Sequence, residues 1–128
     1  LDIDFFKQVN DRHGHDAGDT AIRTLAAVMR EALRANGLVA RWGGEEFVAL
    51  LPMNGRKEAL LVAERLRGRI AAASFPVAPG TVINMTASIG LVGARGGGES
   101  LDSFVRRADL ALYEAKAKGR NRVVFRSG

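Results

Sequence analysis

The stretch Arg41-Trp42-Gly43-Gly44-Glu45-Glu46-Phe47 limits the fold more than any other part of the chain. Apolar runs flank it, Leu38-Val39-Ala40 before and Phe47-Val48-Ala49-Leu50-Leu51 after. Adjacent glycines between β-prone runs predict a hairpin closed by a tight two-residue turn, because such a turn needs φ > 0. A simple chain reversal has no use for the acid pair that follows. A turn that lets a triphosphate and its cations approach the backbone does, since glycine opens the approach and carboxylates hold hard cations.

The chain has 128 residues, enough for one domain with one core, and 47% of them are hydrophobic. No apolar run approaches the roughly 18 residues of a membrane helix, and nothing reads as a signal peptide. There is no cysteine, so disulfides and thiolate metal sites are excluded. His13 and His15 have no third nitrogen or sulfur ligand to complete a zinc site. The net charge of +5 suits an anionic partner, whether nucleotide, nucleic acid or acidic surface, although a basic domain with solvated charges has the same composition. The charges are uneven. Asp2, Asp4, Asp11, Asp16 and Asp19 crowd the start, whereas Lys116, Lys118, Arg120, Arg122 and Arg126 crowd the end. If the fold joins the two ends, a cation site lies beside a phosphate site. Nucleic acid is disfavoured, because one Tyr and one Trp cannot interleave aromatics among the basic residues.

In chain order, Leu1–Asp4 alternates like a strand end, residues 5–11 suit a short helix, and His13–Asp19 reads as a glycine-punctuated turn. A long helix follows with Ile22, Leu25, Ala26, Met29 and Leu33 on one face, ended by Asn36-Gly37 with a residue able to turn left-handed. After the hairpin, Pro52–Gly55 is a turn, and a helix over 56–73 buries Ala59, Val62, Ala63, Leu66 and Ile70. Residues 76–80 form a loop or short edge strand. Val82–Leu91 alternates as one strand, with Ile83, Met85, Ala87, Ile89 and Leu91 inward. A helix over 100–118 places Leu101, Phe104, Val105, Ala108, Leu112 and Ala115 inside, Gly119 stops it, and Val123–Phe125 is a last strand. The fold class is α+β: a β-α-β-β-α-β ferredoxin-like or palm core, with a mixed, mainly antiparallel sheet covered by helices.

Read by chemistry, Asp2 at a strand end and Glu45 at the hairpin tip can share cations if their strands are adjacent. Lys7 and the helix start after Phe5-Phe6 offer a point charge and backbone N–H groups to phosphate. Asn10 and Asp19 can read guanine, whose N1–H and 2-amino group both donate to a carboxylate, whereas adenine leaves that carboxylate unpaired. Each has a plainer alternative: strand-end charges in solvent for Asp2 and Asp4, core side chains for Phe5 and Phe6, and helix caps for Asn10 and Asp19. Lys116 and Arg120 are also explained by the dipole of a helix C-terminus.

Gly43-Gly44-Glu45-Glu46-Phe47 resembles the GGEEF form of the signature of diguanylate cyclases, which condense two GTP into cyclic di-GMP with release of pyrophosphate. Asp2-Ile3-Asp4-Phe5-Phe6-Lys7, the run Asn10-Asp11-Arg12-His13-Gly14-His15-Asp16-Ala17-Gly18-Asp19 and Ala115-Lys116-Ala117-Lys118-Gly119-Arg120-Asn121 are similar to further motifs of that family. The resemblance implies a palm fold, two Mg²⁺ or Mn²⁺ per GTP, and metal ligation by Asp2, the carbonyl of Ile3, Glu45 and Glu46. It implies Glu45, Glu46 and Lys7 as catalytic residues, with Glu45 also the proton acceptor. It implies GTP contacts from Phe5, Phe6, Lys7, Gly43, Gly44, Lys116 and Arg120, and a guanine pocket of Asn10, Asp19 and His15. Ala108-Asp109 and Ser88-Ile89-Gly90 also fit family motifs and are read as structural.

The same resemblance implies a homodimer, an N-terminal sensory or regulatory domain, no nucleic-acid partner and a cytoplasmic location. Two departures accompany it. The opening Leu1-Asp2-Ile3-Asp4 lacks the family's preceding strand and helices, so the sequence reads as one N-terminally truncated domain over 1–128. The Arg-x-x-Asp product-inhibition motif reads Arg34-Ala35-Asn36-Gly37, so only Arg34 and Arg65 remain of it and Gly37 lacks the carboxylate. The rival readings are an inactive GTP-binding regulatory module and a cyclase acting on ATP.

Overall fold

In a computed structural model, residues 1–33, 37–52 and 55–127 are described. The elements are β1 (Asp2–Ile3), α1 (Phe6–His13), α2 (His15–Leu33), β2 (Leu38–Arg41), β3 (Phe47–Leu50), α3 (Arg56–Ala72), β4 (Phe75–Ala78), β5 (Thr81–Ile83), β6 (Ala87–Val92), α4 (Leu101–Ala117) and β7 (Val123–Arg126). Two-residue β1 is the hinge of the sheet. It pairs antiparallel with β6 through Asp2↔Ser88 and Ile3↔Ala87. On its other side, Asp2 bridges Glu46, and Phe47 and Leu1 exchange main-chain bonds of 2.9 Å. With β2 antiparallel to β3 and β7 parallel to β6, the strand order is β2-β3-β1-β6-β7. This is the expected α+β palm order with one parallel strand added at the edge, while β4 and β5 form a separate hairpin.

Alternation along β1 sorts the two faces. Ile3 joins Ile22, Leu25, Met29 and Leu33 of α2 and Val62, Ala63, Leu66 and Ile70 of α3 in the main core. These helix faces follow the 3.6-residue period the sequence announced. The opposite face is covered by α4. Gly90 permits this, because a Cβ there would overlap the Ala108 carbonyl and the Leu112 amide.

Several local expectations are corrected. The hairpin does not close in two residues. Arg41 pairs with Phe47, which leaves 42–46 in the loop, and neither Gly43 nor Gly44 has positive φ. Side-chain chemistry closes it instead: Arg41 donates to the carbonyls of Gly43 (3.1 Å) and Gly44 (2.7 Å), and Trp42 N–H to Glu46 O (2.8 Å). His13–Asp19 is not a turn. Only Gly14, at φ 92°, breaks the helix, and α2 already starts at His15. Val82–Leu91 splits into β5 and β6, since Thr86 O turns to accept Asp4 N–H (2.9 Å) and Asn84 Nδ2 donates to Ala73 O (3.2 Å).

Leu101 is exposed in the first turn of α4, behind a Ser100 cap whose hydroxyl accepts Ser103 N–H, and the buried residue missing from the expected face is Ala111. Gly37 is not left-handed. Glycine fits there because a Cβ would overlap the Leu50 carbonyl. Asn36, Met53 and Asn54, part of the expected helix stop and turn, lie outside the described residues.

Candidate active site

Asp2 lies on β1 and Asp4 in the turn just past its end; Asp2 bonds Lys116 of α4 and Asp4 bonds Asn121 beyond α4, while Ile3 faces the core. Each is only 5% exposed. Solvated strand-end charges are thereby excluded for both. Asp2 Oδ2 is held by the Lys116 ammonium from the last turn of α4, whereas Asp2 Oδ1 is buried with no hydrogen-bond partner. A buried carboxylate oxygen without a donor is costly unless a cation completes it. Lys116 thus neutralises half of a carboxylate whose other half is poised for another positive charge.

Across the strand boundary, Asp2 opposes Glu46, and opposed residues of an antiparallel pair project to the same face. Glu45 lies one residue earlier, half-exposed in the bend, its carbonyl receiving Ile3 N–H at 3.4 Å. The opening strand and the glycine loop are therefore neighbours, and the acid directly opposite Asp2 is Glu46. Asp109, seven residues before Lys116 on α4, lines the same cleft as Glu46. Among the described residues no three His, Cys, Asp or Glu side chains cluster as a metal cage. Two carboxylates and a carbonyl match a cation that takes its remaining ligands from phosphate and water, as Mg²⁺ does.

The residues expected to meet phosphate lie on α1, the residue before it and the end of α4. Phe6 is in the core, but Phe5 is exposed and left-handed (φ 57°), contrary to the expectation that both rings are core. The Phe5 ring lies under the Arg120 guanidinium, 4.8 Å from its centroid. No side chain caps α1, which leaves its first N–H groups to another acceptor. The Lys7 side chain is 91% exposed and makes only a loose 3.7 Å pair with Asp11.

Asn10 and Asp19 are not caps, since each sits within a helix. The Asn10 amide packs directly on Gly18, where a Cβ would overlap Asn10 Oδ1, so the next residue, Asp19, lies close to Asn10 with its side chain exposed. His15 is exposed at the start of α2. The structure therefore brings Asp2, Glu46 and Lys116 together, Phe5 with Arg120, and Asn10 beside the turn of α2 that carries Asp19. Arg34 lies outside the described residues, and Arg65 is an exposed charge on α3.

An antiparallel palm sheet with buried and loop-borne acids at one strand boundary defines a class of nucleotide-handling α+β domains. A family model described as "Diguanylate cyclase, GGDEF domain" matches residues 1–122, and the chain belongs to that family. Response regulator PleD of Caulobacter vibrioides is 44% identical over 125 residues, 97% of this chain and 28% of that protein. Diguanylate cyclase A of Treponema denticola is also 44% identical, over 98% of this chain and 33% of that protein. The chain thus spans about a third or less of these two curated relatives. Among solved structures, the diguanylate cyclase SiaD of Pseudomonas aeruginosa, in complex with its activator SiaC, superposes with a TM-score of 0.90 at 44% identity, covering 98% of this chain and 47% of that one. The active GGEEF domain of a Vibrio cholerae diguanylate cyclase superposes with a TM-score of 0.82 at 35% identity, covering 97% and 78%.

Proposed function

We propose that this domain condenses two GTP into cyclic di-GMP and releases two pyrophosphates. The observation that carries the reading is Asp2: buried, with Lys116 on one oxygen, no partner on the other, and a loop-borne acid directly across the strand boundary. Asp2, the Ile3 carbonyl, Glu45 and Glu46 are the residues that hold divalent cations. When bound, Mg²⁺ or Mn²⁺, two per GTP, supply charge neutralisation at the triphosphate and a lowered pKa for the attacking 3′-hydroxyl.

The chain's own residues do the rest. Glu45, at the hairpin tip, accepts the 3′-hydroxyl proton, with Glu46 beside it. Gly43 and Gly44 keep the tip free of side chains, so nucleotide can lie against the main chain. The uncapped start of α1 and Lys7 receive the triphosphate, and Lys116 exchanges its bond with Asp2 for one with phosphate. Arg120, stacked on Phe5, adds a second cationic donor. Asn10 and Asp19 select guanine, and His15 lines that pocket. A single site presents one 3′-hydroxyl and one α-phosphate, so ring closure takes two domains face to face, each attacking the nucleotide held by the other. Such a domain works where GTP is, in the cytoplasm, under an N-terminal regulatory domain. No helix among the described residues is long and apolar enough to cross a membrane.

Product inhibition through the Arg-x-x-Asp motif is weak or absent in this reading. Gly37 has no carboxylate, and a side chain there would strike the Leu50 carbonyl. The deciding experiment is incubation with GTP and Mg²⁺ followed by mass spectrometry of the product. Cyclic di-GMP supports the reading, and GTP bound but unconverted replaces it with a regulatory GTP-binding module.

A further inference from the structure

Asp4, in the turn just after β1, is the second buried acid near the start of the chain, and its surroundings differ from those of Asp2. Both its oxygens are occupied by donors. Oδ1 accepts the Ser88 hydroxyl at 2.6 Å, and Oδ2 accepts the Thr86 hydroxyl at 2.6 Å and the Asn121 backbone N–H at 3.0 Å. The first two donors come from β6 and the segment leading into it, the third from the turn after α4. That turn holds two consecutive non-glycine residues in the left-handed region, Arg120 at φ 64° and Asn121 at φ 45°. Such a conformation persists only where its surroundings fix it. Asp4 fixes it from below. Arg67 of α3 fixes it from the side by donating to Asn121 Oδ1 at 2.7 Å. The ladder beyond it begins with Ile89 N–H bonded to Arg122 O at 2.9 Å. The turn delivers Arg120, whose guanidinium lies over the ring of Phe5, the residue next to Asp4.

We propose that Asp4 is a positioning residue and not a cation ligand: it latches the turn after α4 to β1 and so sets Arg120 and Lys116 relative to Asp2. This rests on the triphosphate site proposed above. The latch itself is independent of any nucleotide. Three donors occupy both oxygens of Asp4, so a cation there would compete with them, whereas Asp2 offers an oxygen with none.

Asp4→Asn tests the assignment. In the variant the amide carbonyl can keep the Thr86 hydroxyl and the Asn121 N–H while its NH2 donates to a rotated Ser88 hydroxyl. What the turn loses is the charge of its acceptor, and a neutral acceptor holds the N–H more weakly than a carboxylate does. Three quantities are read on the purified chain: exchange of the Asn121 amide hydrogen by NMR without nucleotide, affinity for a non-reactive GTP analogue, and the Mn²⁺ concentration giving half-saturation. The expected result is Asn121 exchange faster by about tenfold or more, analogue binding weaker by about tenfold, and an unchanged Mn²⁺ midpoint. Asp2→Asn, by contrast, should raise the Mn²⁺ midpoint and leave Asn121 exchange as it was. If Asp4→Asn does not fold, the double variant Thr86→Val with Ser88→Ala keeps the carboxylate but frees it, and should also speed Asn121 exchange.

Unchanged Asn121 exchange in the folded variants, or a Mn²⁺ midpoint that rises in Asp4→Asn, would overturn the proposal. Failure of the wild-type chain to bind the analogue would instead count against the GTP reading, and Asn121 exchange would still decide the latch.

Discussion

Gly37, Gly90 and Gly44 are the same residue type serving different needs. At 37 and 90, neighbouring backbone occupies the place a Cβ would take. At 44 there is no heavy atom within 4 Å of that place, and φ is not positive, so the fold itself does not demand glycine. In the reading proposed above, the nucleotide is what fits there. Gly44→Ala should therefore leave stability within about 0.5 kcal/mol of wild type, with a gain as conceivable as a loss because alanine has fewer unfolded conformations. Formation of cyclic di-GMP should fall at least tenfold. Thermal melting beside product yield checks both, and a variant that melts lower yet keeps its specific activity while folded would show the glycine to be structural.

Asp19 makes a matching case. It is exposed in the second turn of α2 and caps nothing, so Asp19→Ala should leave the melting temperature unchanged while narrowing the preference for GTP over ATP. Competition binding of the two nucleotides measures it. A fall in melting temperature without loss of preference would return Asp19 to a structural role. The candidate residues stand out in the sequence through the motifs they resemble, and their roles remain part of the proposal. The pairing Asp2↔Glu46 was not legible, because register across two strands depends on which residues leave the ladder to form the loop.

Elements whose faces repeat over several turns were read correctly. Ile22, Leu25, Met29 and Leu33 on α2 and Val62, Ala63, Leu66 and Ile70 on α3 are all buried, since one apolar stripe has one place to go. Errors fell where tertiary contacts override local pattern. Val82–Leu91 keeps its alternation but is cut by bonds to Asp4 and Ala73 that no local rule contains. Leu101 fits the helical period yet is exposed in the first turn of α4. The packing of α4 turns on Gly90, and Gly90→Ala should cost about 1–3 kcal/mol in chemical denaturation by pushing α4 off β6.

The glycine-rich segment before α4 is held by Glu99 and Arg107, whose side chains are 9% and 11% exposed. Arg107 donates from Nε (2.8 Å) and Nη2 (2.7 Å) to the two Glu99 oxygens and from Nη2 to Gly93 O (2.7 Å). The hydrogen bonds from Arg107 lower the Glu99 carboxyl from its ordinary 4.5 to about 2. A carboxyl with a depressed folded-state pKa binds its proton more readily when unfolded. Its contribution is therefore complete above about pH 4.5 and disappears as pH falls toward about 2. The melting-temperature gap between wild type and Glu99→Gln should be constant from pH 5 to 7. It should shrink steadily below about pH 4.5. A gap independent of pH would mean that the pair acts through shape alone.

At the scale of the molecule, the strand order β2-β3-β1-β6-β7 puts the acid pair at the β1–β3 boundary, with the cationic end of α4 over the same face. One copy thus presents one set of acids and one cationic edge, and nothing among its described residues duplicates them. In the proposed reaction, a ring with two phosphodiester bonds requires two 3′-hydroxyls and two α-phosphates, so assembly is part of the proposed chemistry. Mass action fixes the form of the test. Far below the dimer dissociation constant, the dimeric fraction rises in proportion to total protein, so rate per domain should rise linearly with concentration. Above that constant it should level off. Fusion to a constitutively dimeric coiled coil should hold the rate per domain at the plateau even at high dilution, because the effective concentration is then set by the tether. Light scattering run alongside locates the monomer range. A rate per domain that stays flat through that range would mean a single copy completes both bonds, which the single set of acids described here gives no means to do.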